Sequence, residues 1–401
     1  MLSTIVLELP PLQMVMCLAR PSASIKTPYI ADLISLKKYP DVINEFTALN
    51  LQPSSSTSSS SPSRKQQLLS QKENIAKMRD KYTTILGHAP SLDCAGMVIP
   101  GSRVFVSEST SEKTKSKVTI QQCEEIREDG TMTRVGYHPF IAERVAKKLL
   151  EDHLLDGDLD TYESILSQQT YGNSRVDFVL LPPTQSLESS GRTKRKKSAT
   201  SLEEQIVTLL EVKNVVGADY PKGNVPSARS LIGTYESTLS LHEGYRRAAI
   251  FPHGSTNAVG VVSDRAIKHI HELTSLHGTF DESGRKIQSA ILFIINRGDV
   301  EYFRPCHEAD MLFAQILHRA KNKGVKLIAK KLHWNEEVAY LGETLPIVFD
   351  EKVINEIDIS DNHLARVLAY NESNQRKTET KSFRQTVSKE KAKKKQRQRR
   401  K

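Results

Sequence analysis

Two apolar runs carry charges that a purely structural strand would avoid. Asp177 interrupts RVDFVLL at Arg175 to Leu181, and Glu211 and Lys213 interrupt QIVTLLEVKNVV at Gln205 to Val216. Alternation along an extended chain puts Glu211 and Lys213 on one strand face. Leaving a carboxylate ionised in a buried sheet costs on the order of several kcal/mol unless a metal ion or a paired cation compensates. A D…E-x-K arrangement suits metal-assisted phosphodiester hydrolysis. Hard carboxylate oxygens hold Mg2+ with waters completing its octahedron; the ion polarises the phosphate and acidifies a bound water; the lysine orients that water or stabilises developing negative charge. Asp177, Glu211 and Lys213 are therefore the expected catalytic group. Asp177 and Glu211, with Glu143 from the preceding helix, are the expected ligands of Mg2+. The structural alternative is a salt bridge between Lys213 and one acid, with Arg175 alongside, since E-x-K by itself is a common triplet.

Elements able to position these residues can be read around them. From His138 to Leu155 the apolar positions Ile141, Val145, Leu149 and Leu150 recur at helical spacing, with Pro139 in the first turn, and Glu143 lies at the edge of that stripe. The two interrupted runs predict buried strands. A helix at Ser263 to Leu276 opens on the cap-like Ser263-Asp264, followed by an apolar strand at Ser289 to Ile295, a helix at Glu308 to Asn322 stopped by Gly324, and a strand at Val325 to Ala329. This alternation predicts an α/β domain around a mixed sheet. Upstream, short apolar runs at 12–18, 29–34, 103–107 and 117–122, with a charged helical segment at 66–82, predict a small N-terminal β-domain.

The 401 residues suffice for one large or two ordinary domains, and the formal charge of +10 is unevenly placed. Ser388 to Lys401 holds nine Lys or Arg residues against Glu390, and Arg192, Lys194, Arg195, Lys196 and Lys197 form a second cluster, leaving the remainder close to neutral. Such tails meet phosphate or an import receptor rather than reading bases. Lys393, Lys394, Lys395, Arg397, Arg399 and Arg400 are the expected phosphate contacts there, the alternative being a solubilising tail. The Ser-rich stretch 53–66, the segment 182–203 and the chain after Tyr370 read as insertions or tails. Cys17, Cys94, Cys123 and Cys306 include no C-x-x-C pair, so buried thiols are expected rather than disulfides or a zinc site. No run of eighteen apolar residues predicts a membrane span, and MLSTIVLEL lacks the basic flank of a secretory signal. His269, His271 and His277 lie too irregularly to gather a metal on one helical face. No Walker loop or GxGxxG supports nucleotide-cofactor binding.

The chain resembles the sugar fermentation stimulation protein family. The matching pieces are ELPPLQ at Glu8 to Gln13, His88 and Pro90 leading to Pro100-Gly101, YGNSRVDFVL at Tyr171 to Leu180, and LLEVKNV at Leu209 to Val215. VVSDRAIKHIHEL at Val261 to Leu273 and ILFIINRGDVEYFRP at Ile291 to Pro305 follow, with GVKLIA and LPIVF near the end. The resemblance implies an OB-like N-terminal domain and a C-terminal PD-(D/E)XK nuclease-like domain that bind DNA. It assigns Asp177, Glu211 and Lys213 to metal and catalysis, and implies phosphate contacts at Arg175, Lys268 and His269. Two departures stand out. Ser91-Leu92-Asp93 replaces the family's Asn-(Thr/Leu)-Gly turn, and Phe251-Pro252-His253 with a longer loop replaces Phe-Pro-Asp, so an acid from that stretch is not expected.

The expected architecture is an OB-like β-domain at 1–136, interrupted at about 36–85, then a nuclease-like α/β domain at 137–350 with a basic insertion at about 182–203, then a helical and disordered basic tail at 351–401. The expected function is DNA binding, with RNA as the second partner, and Mg2+-dependent phosphodiester cleavage. The alternatives are a non-catalytic DNA-binding regulator and a scaffold recruited through its tail. An intracellular setting is expected, nuclear if the tail is an import signal.

Overall fold

The computed structural model describes residues 4–49, 62–91, 96–109, 114–126, 130–171, 174–183, 205–219, 247–254, 256–356, 361–374 and 376. The Ser-rich stretch before Pro62, Cys94, the basic cluster at 192–197 and the tail carrying Lys393, Lys394, Lys395, Arg397, Arg399 and Arg400 lie outside the described residues.

In chain order the N-terminal elements are β1 (Ile5–Glu8), β2 (Gln13–Ala19), β3 (Ile30–Ser35), α1 (Val42–Ala48), α2 (Pro62–Lys81), β4 (Thr84–His88), β5 (Arg103–Glu108), β6 (Val118–Ile126) and β7 (Met132–Gly136). Strands β2 to β6 pair in the order β4-β3-β2-β5-β6, and a parallel pairing of β4 with β6 returns the last strand to the first. The ring is thereby a five-stranded barrel, with β7 added outside β6. Its interior is filled by Val15, Cys17, Leu33, Val104, Val106, Ile120 and neighbours. Closure depends on Gly87, where an added Cβ would stand 2.2 Å from Leu33 Cδ1. A closed barrel leaves few unpaired strand edges. Cys17 and Cys123 are buried inside it outside any disulfide, as is Cys306 in the other unit.

The second unit comprises α3 (Phe140–Glu151), β8 (Ser164–Tyr171), β9 (Ser174–Leu181), β10 (Ile206–Val215), β11 (Gly217–Ala218), β12 (Ala248–Phe251), α4 (Asp264–Leu276), β13 (Lys286–Ile295), β14 (Tyr302–Pro305), α5 (Met311–Asn322), β15 (Lys326–Asn335), β16 (Val338–Thr344) and α6 (Glu351–Glu356). Its main sheet has the order β1-β16-β15-β13-β10-β9-β8. The strand β1 thus belongs to this sheet, although it precedes every barrel strand in the chain. The centre, β10-β13-β15, is parallel and the flanks are antiparallel, so the sheet is mixed as the sequence predicts. Parallel strands need cover on both faces. Helices α4 and α5 pack on one face around Phe293, Ile267 and Leu317, and α3 packs on the other around Leu210, Leu292 and Val145. Ser263 Oγ caps α4 by accepting from the Ala266 N–H at 3.3 Å, and Asp310 caps α5 by accepting from the Phe313 N–H at 3.0 Å. Gly324, at φ +100°, ends α5 in the left-handed conformation that glycine tolerates.

The two units are joined by ions and close packing. Arg247 and Arg297 are buried between Glu125 of β6 and Asp219 and Asp299 of the α/β unit. Arg297 meets Asp299 in a bidentate pair at 2.8 and 2.9 Å. The Gly136 N–H donates to Asn296 O at 2.9 Å, and a Cβ on Gly136 would fall 2.5 Å from the Trp334 ring. Among the described residues no helix is long and apolar enough to cross a membrane.

Candidate active site

The ladder between β9 and β10 runs from Leu180–Thr208 to Phe178–Leu210. Asp177 and Glu211 are the next residues on each strand, so both acids stand where the ladder ends. There the Val212 N–H donates to the Asp177 side chain, Oδ2 at 2.8 Å, just beyond the last backbone rung to β9. Lys213, two residues on and on the same face as Glu211, donates its Nζ to Glu211 Oε1 at 2.5 Å. That face is covered by α4, whose His269 brings Nδ1 onto the same Oε1. The Glu211 side chain is 4 % exposed and that of Lys213 11 %.

Glu143 arrives from α3, on the opposite face, and does not touch Asp177 directly. Gln168 of β8 lies between them, its Nε2 donating to Asp177 Oδ1 at 3.2 Å and, at 3.4 Å, to Glu143 Oε2. Gln168 is a non-glycine residue at φ +55°, an uncommon conformation that sits at the register position opposite Asp177. Sequence reading missed it, because β8 (SILSQQTY) has neither apolar alternation nor a motif.

Each carboxylate is tuned by its surroundings. Burial is the largest influence on Glu211 and pushes its pKa up, but the charge of Lys213 and the hydrogen bond and charge of His269 together bring it down to about 2. Burial, followed by the negative charge of Glu211, raises Asp177, against the Val212 N–H and the charges of Lys213 and His269. Burial and the charge of Asp177 raise Glu143, with Arg265 and Arg175 opposing. One acid is thus neutralised within the protein and two are held with too little positive charge.

The expected residues are not all brought together. Asp177, Glu211, Lys213 and His269 form one group. Arg175 is exposed on β9, close enough to act on Glu143. His269 is buried against Glu211 and so positions that acid rather than offering itself to a phosphate. Lys268 is buried as well, its ammonium 3.8 Å from Glu272, away from the open surface a phosphate contact requires. Arg265, exposed one helical turn before His269 with its Nε 3.5 Å from His269 Nε2, is the basic residue of α4 that fits that role. The three-carboxylate ligand set of Asp177, Glu211 and Glu143 is not assembled. Among the described residues no three His, Cys, Asp or Glu groups stand together as a metal cage, since Glu211 is turned onto Lys213 and His269 and Gln168 spaces Glu143 from Asp177. Mg2+ needs only one or two carboxylates when waters and a substrate phosphate complete its shell, and the Asp177–Glu211 pair fits that requirement.

A barrel joined to a mixed-sheet α/β unit, with acids and a lysine where two central strands part, defines a protein with a restriction-endonuclease-like domain. Residues 239–338 match the family model described as the sugar fermentation stimulation protein RE domain. This segment includes His269 but begins after Asp177, Glu211 and Lys213, so the placement of those three rests on geometry. A sugar fermentation stimulation protein homolog of Rhizobium meliloti is 28% identical over 274 residues, 68% of this chain and 87% of the relative. One from Trichodesmium erythraeum is 28% identical over 263 residues, 64% of this chain and 80% of the relative. The fold is similar to the solved structure of Pyrococcus furiosus SfsA in complex with Ca2+, with a TM-score of 0.51 and 16% identity, covering 86% of this chain and all of that one. Over about two thirds of its length the chain is thus similar to members of the sugar fermentation stimulation protein family.

Proposed function

We propose that the protein binds nucleic acid, DNA first and RNA as the alternative, and cleaves phosphodiester bonds at the Asp177–Glu211–Lys213 centre with a divalent cation, Mg2+. The observation that carries this reading is the convergence of Asp177 and Glu211 one residue beyond the last β9–β10 rung, with the Lys213 ammonium on Glu211. Asp177 and Glu211 would hold the ion. When bound, it supplies Lewis-acid polarisation of the phosphate and a more acidic water. His269 and Lys213 keep Glu211 ionised and fix the direction of its carboxylate. The Val212 N–H fixes Asp177. Lys213, held between acid and solvent, is placed to donate a hydrogen bond to an attacking water or to the developing phosphorane charge. The similar Pyrococcus furiosus SfsA was solved in complex with Ca2+, which supports a divalent cation in proteins of this fold.

The barrel, OB-like in strand number and parallel closure, and the α/β unit of about 137–350 serve as the two nucleic-acid-facing domains, with the basic tail after 351 adding phosphate contacts and, if read by an import receptor, a nuclear address. A second reading is favoured by one observation. Glu211 already has two partners, the Lys213 ammonium and the His269 ring, which is how a structural polar cluster would look, and the protein would then be a DNA-binding regulator without catalysis. Incubation of labelled single- and double-stranded DNA with Mg2+, Mn2+ or EDTA separates them. Cleavage in either metal but not in EDTA supports the first, and binding without cleavage supports the second.

A further inference from the structure

Helix α3 buries Ile141, Ala142, Val145, Leu149 and Leu150, yet its first residue, Phe140, is 62 % exposed. Among the described residues no large apolar side chain is more exposed. Nothing in the packing of α3 calls for an aromatic ring there, and a single exposed apolar residue would ordinarily need no explanation. This one borders a cleft of about 380 Å³ lined by Gln121 of β6 together with His138, Phe140, Ile141, Glu143 and Arg144. Cavities of several hundred Å³ are the size that takes a small-molecule group.

The lining is chemically ordered. The His138 imidazole stacks on the Phe140 ring, with centroids 5.3 Å apart and planes 30° apart. The Phe140 N–H donates to His138 Nδ1 at 3.2 Å, so the proton of the neutral ring sits on Nε2. Burial, then the charges of His88 and Arg144, hold that histidine down at about 4, which keeps the stacked surface uncharged at neutral pH. Gln121 is held by its backbone carbonyl, which accepts from the Tyr137 N–H at 2.8 Å, and by its Nε2, which donates to Ser107 Oγ at 3.0 Å. Arg144 brings a guanidinium to the rim, anchored by one bond of 3.3 Å to Glu8 O. On the far side of the cleft, Glu143 is linked through Gln168 to Asp177, and the exposed Arg175 and Arg265 act on it electrostatically. The cleft therefore combines a flat aromatic surface with one arginine, Arg144, at its rim, and its Glu143 wall leads through Gln168 to the acidic centre.

We propose that this cleft seats one unpaired nucleobase, Phe140 and His138 supplying the stacking face and Arg144 a phosphate contact, so that the centre acts on single-stranded nucleic acid. The inference rests on the nucleic-acid reading above and deepens it by naming the substrate class. A paired base keeps its faces against its own neighbours and cannot enter such a seat, whereas an unpaired base of any kind offers a π face.

The test measures binding of the full chain, in EDTA to prevent cleavage, to a labelled short oligothymidine, an abasic single strand of the same length and a duplex of the same length. Phe140→Ala is expected to weaken oligothymidine binding about tenfold, within the range of one lost base–aromatic stack. Binding of the abasic strand should not change, because phosphate contacts remain. Phe140→Trp should retain wild-type affinity and show tryptophan quenching on addition of oligothymidine and not of the abasic strand. Equal weakening of both strands by Phe140→Ala, no weakening of either, or preference of the wild type for the duplex would each overturn the seat while leaving the nucleic-acid reading in place. A wild type that binds none of the three probes would overturn both.

Discussion

His269 Nδ1 closes on Glu211 Oε1, tying α4 to β10 across 58 residues of chain. The same oxygen receives Lys213 from its own strand, so one buried carboxylate organises a helix and a lysine around the candidate centre. A hydrogen bond to a buried charge contributes about 1.5–3 kcal/mol. His269→Ala should therefore destabilise the protein by about 2 kcal/mol or more in urea unfolding at neutral pH. In a double-mutant cycle with Glu211→Gln, a coupling of about 1–2 kcal/mol is expected. A coupling indistinguishable from zero would show that α4 is not held to the centre through this pair.

The Arg297–Asp299 pair, which lies beside the Glu125 contact between the two units, should set the acid limit of the fold. Burial pushes the Asp299 carboxyl up, but the Arg297 hydrogen bond and charge and the charge of Arg247 bring it from 3.8 down to about 2. A depressed carboxyl contributes stability above its ordinary value and loses it as the pH falls to the folded one. Asp299→Asn should cost about 2 kcal/mol at neutral pH, by the linkage of that shift. The difference from wild type should stay constant down to about pH 4 and shrink between about 4 and about 2. A difference that grows with acidification in that window would contradict the assignment.

Where the barrel meets the sheet, Gly136 leaves no room for a side chain. Its absent Cβ would lie 2.5 Å from Trp334 Cζ2 and 2.7 Å from Asn296 Oδ1. Gly136→Ala should destabilise by about 1–3 kcal/mol through overpacking. Trp334 is the chain's single tryptophan, so a shift in its native emission reports the disturbed joint directly. Unchanged emission together with unchanged stability would mean that the contact is not made.

Much of the α/β unit was legible because its central strands are apolar on both faces. RVDFVLL, TLLEVKNVV and SAILFII each have the prevailing apolarity of a covered parallel or central strand, and the acids stood out against it. The stripe of α3 and the cap of α4 were equally visible. The edges were not. Strand β8 is mostly exposed, so its sequence carries no period, and with it went Gln168, whose part depends on a positive φ and a register rather than on residue type. Strand β1 finds its partner, β16, more than three hundred residues away, which no local pattern encodes. The KHIHEL helix was placed correctly, but which of its residues face Glu211 depended on helix rotation. His269 turned inward with Lys268, and Arg265, a turn earlier, was left at the surface.

Metal binding should be visible without catalysis. Because Asp177 and Glu143 are held above their ordinary range by burial and neighbouring acids, a divalent cation relieves a cost already present in the native state. Saturating Mg2+ should raise the Tm of wild type by mass action and leave the Asp177→Asn, Glu211→Gln double variant unmoved. Equal shifts in both proteins would place the ion elsewhere.

The most direct measurement of the central claim is cleavage of labelled single-stranded DNA in Mg2+ by wild type and by Lys213→Ala, each also assayed in EDTA and each with its Mg2+-induced Tm shift recorded. Metal-dependent cleavage by wild type is expected, with a loss of roughly a hundredfold or more in Lys213→Ala, the range for removing one group that stabilises transition-state charge. The variant should keep its Mg2+ shift, since its two carboxylates remain. Absence of cleavage by wild type in any divalent metal, or cleavage by Lys213→Ala at the wild-type rate, would contradict a phosphodiesterase centre at Asp177, Glu211 and Lys213.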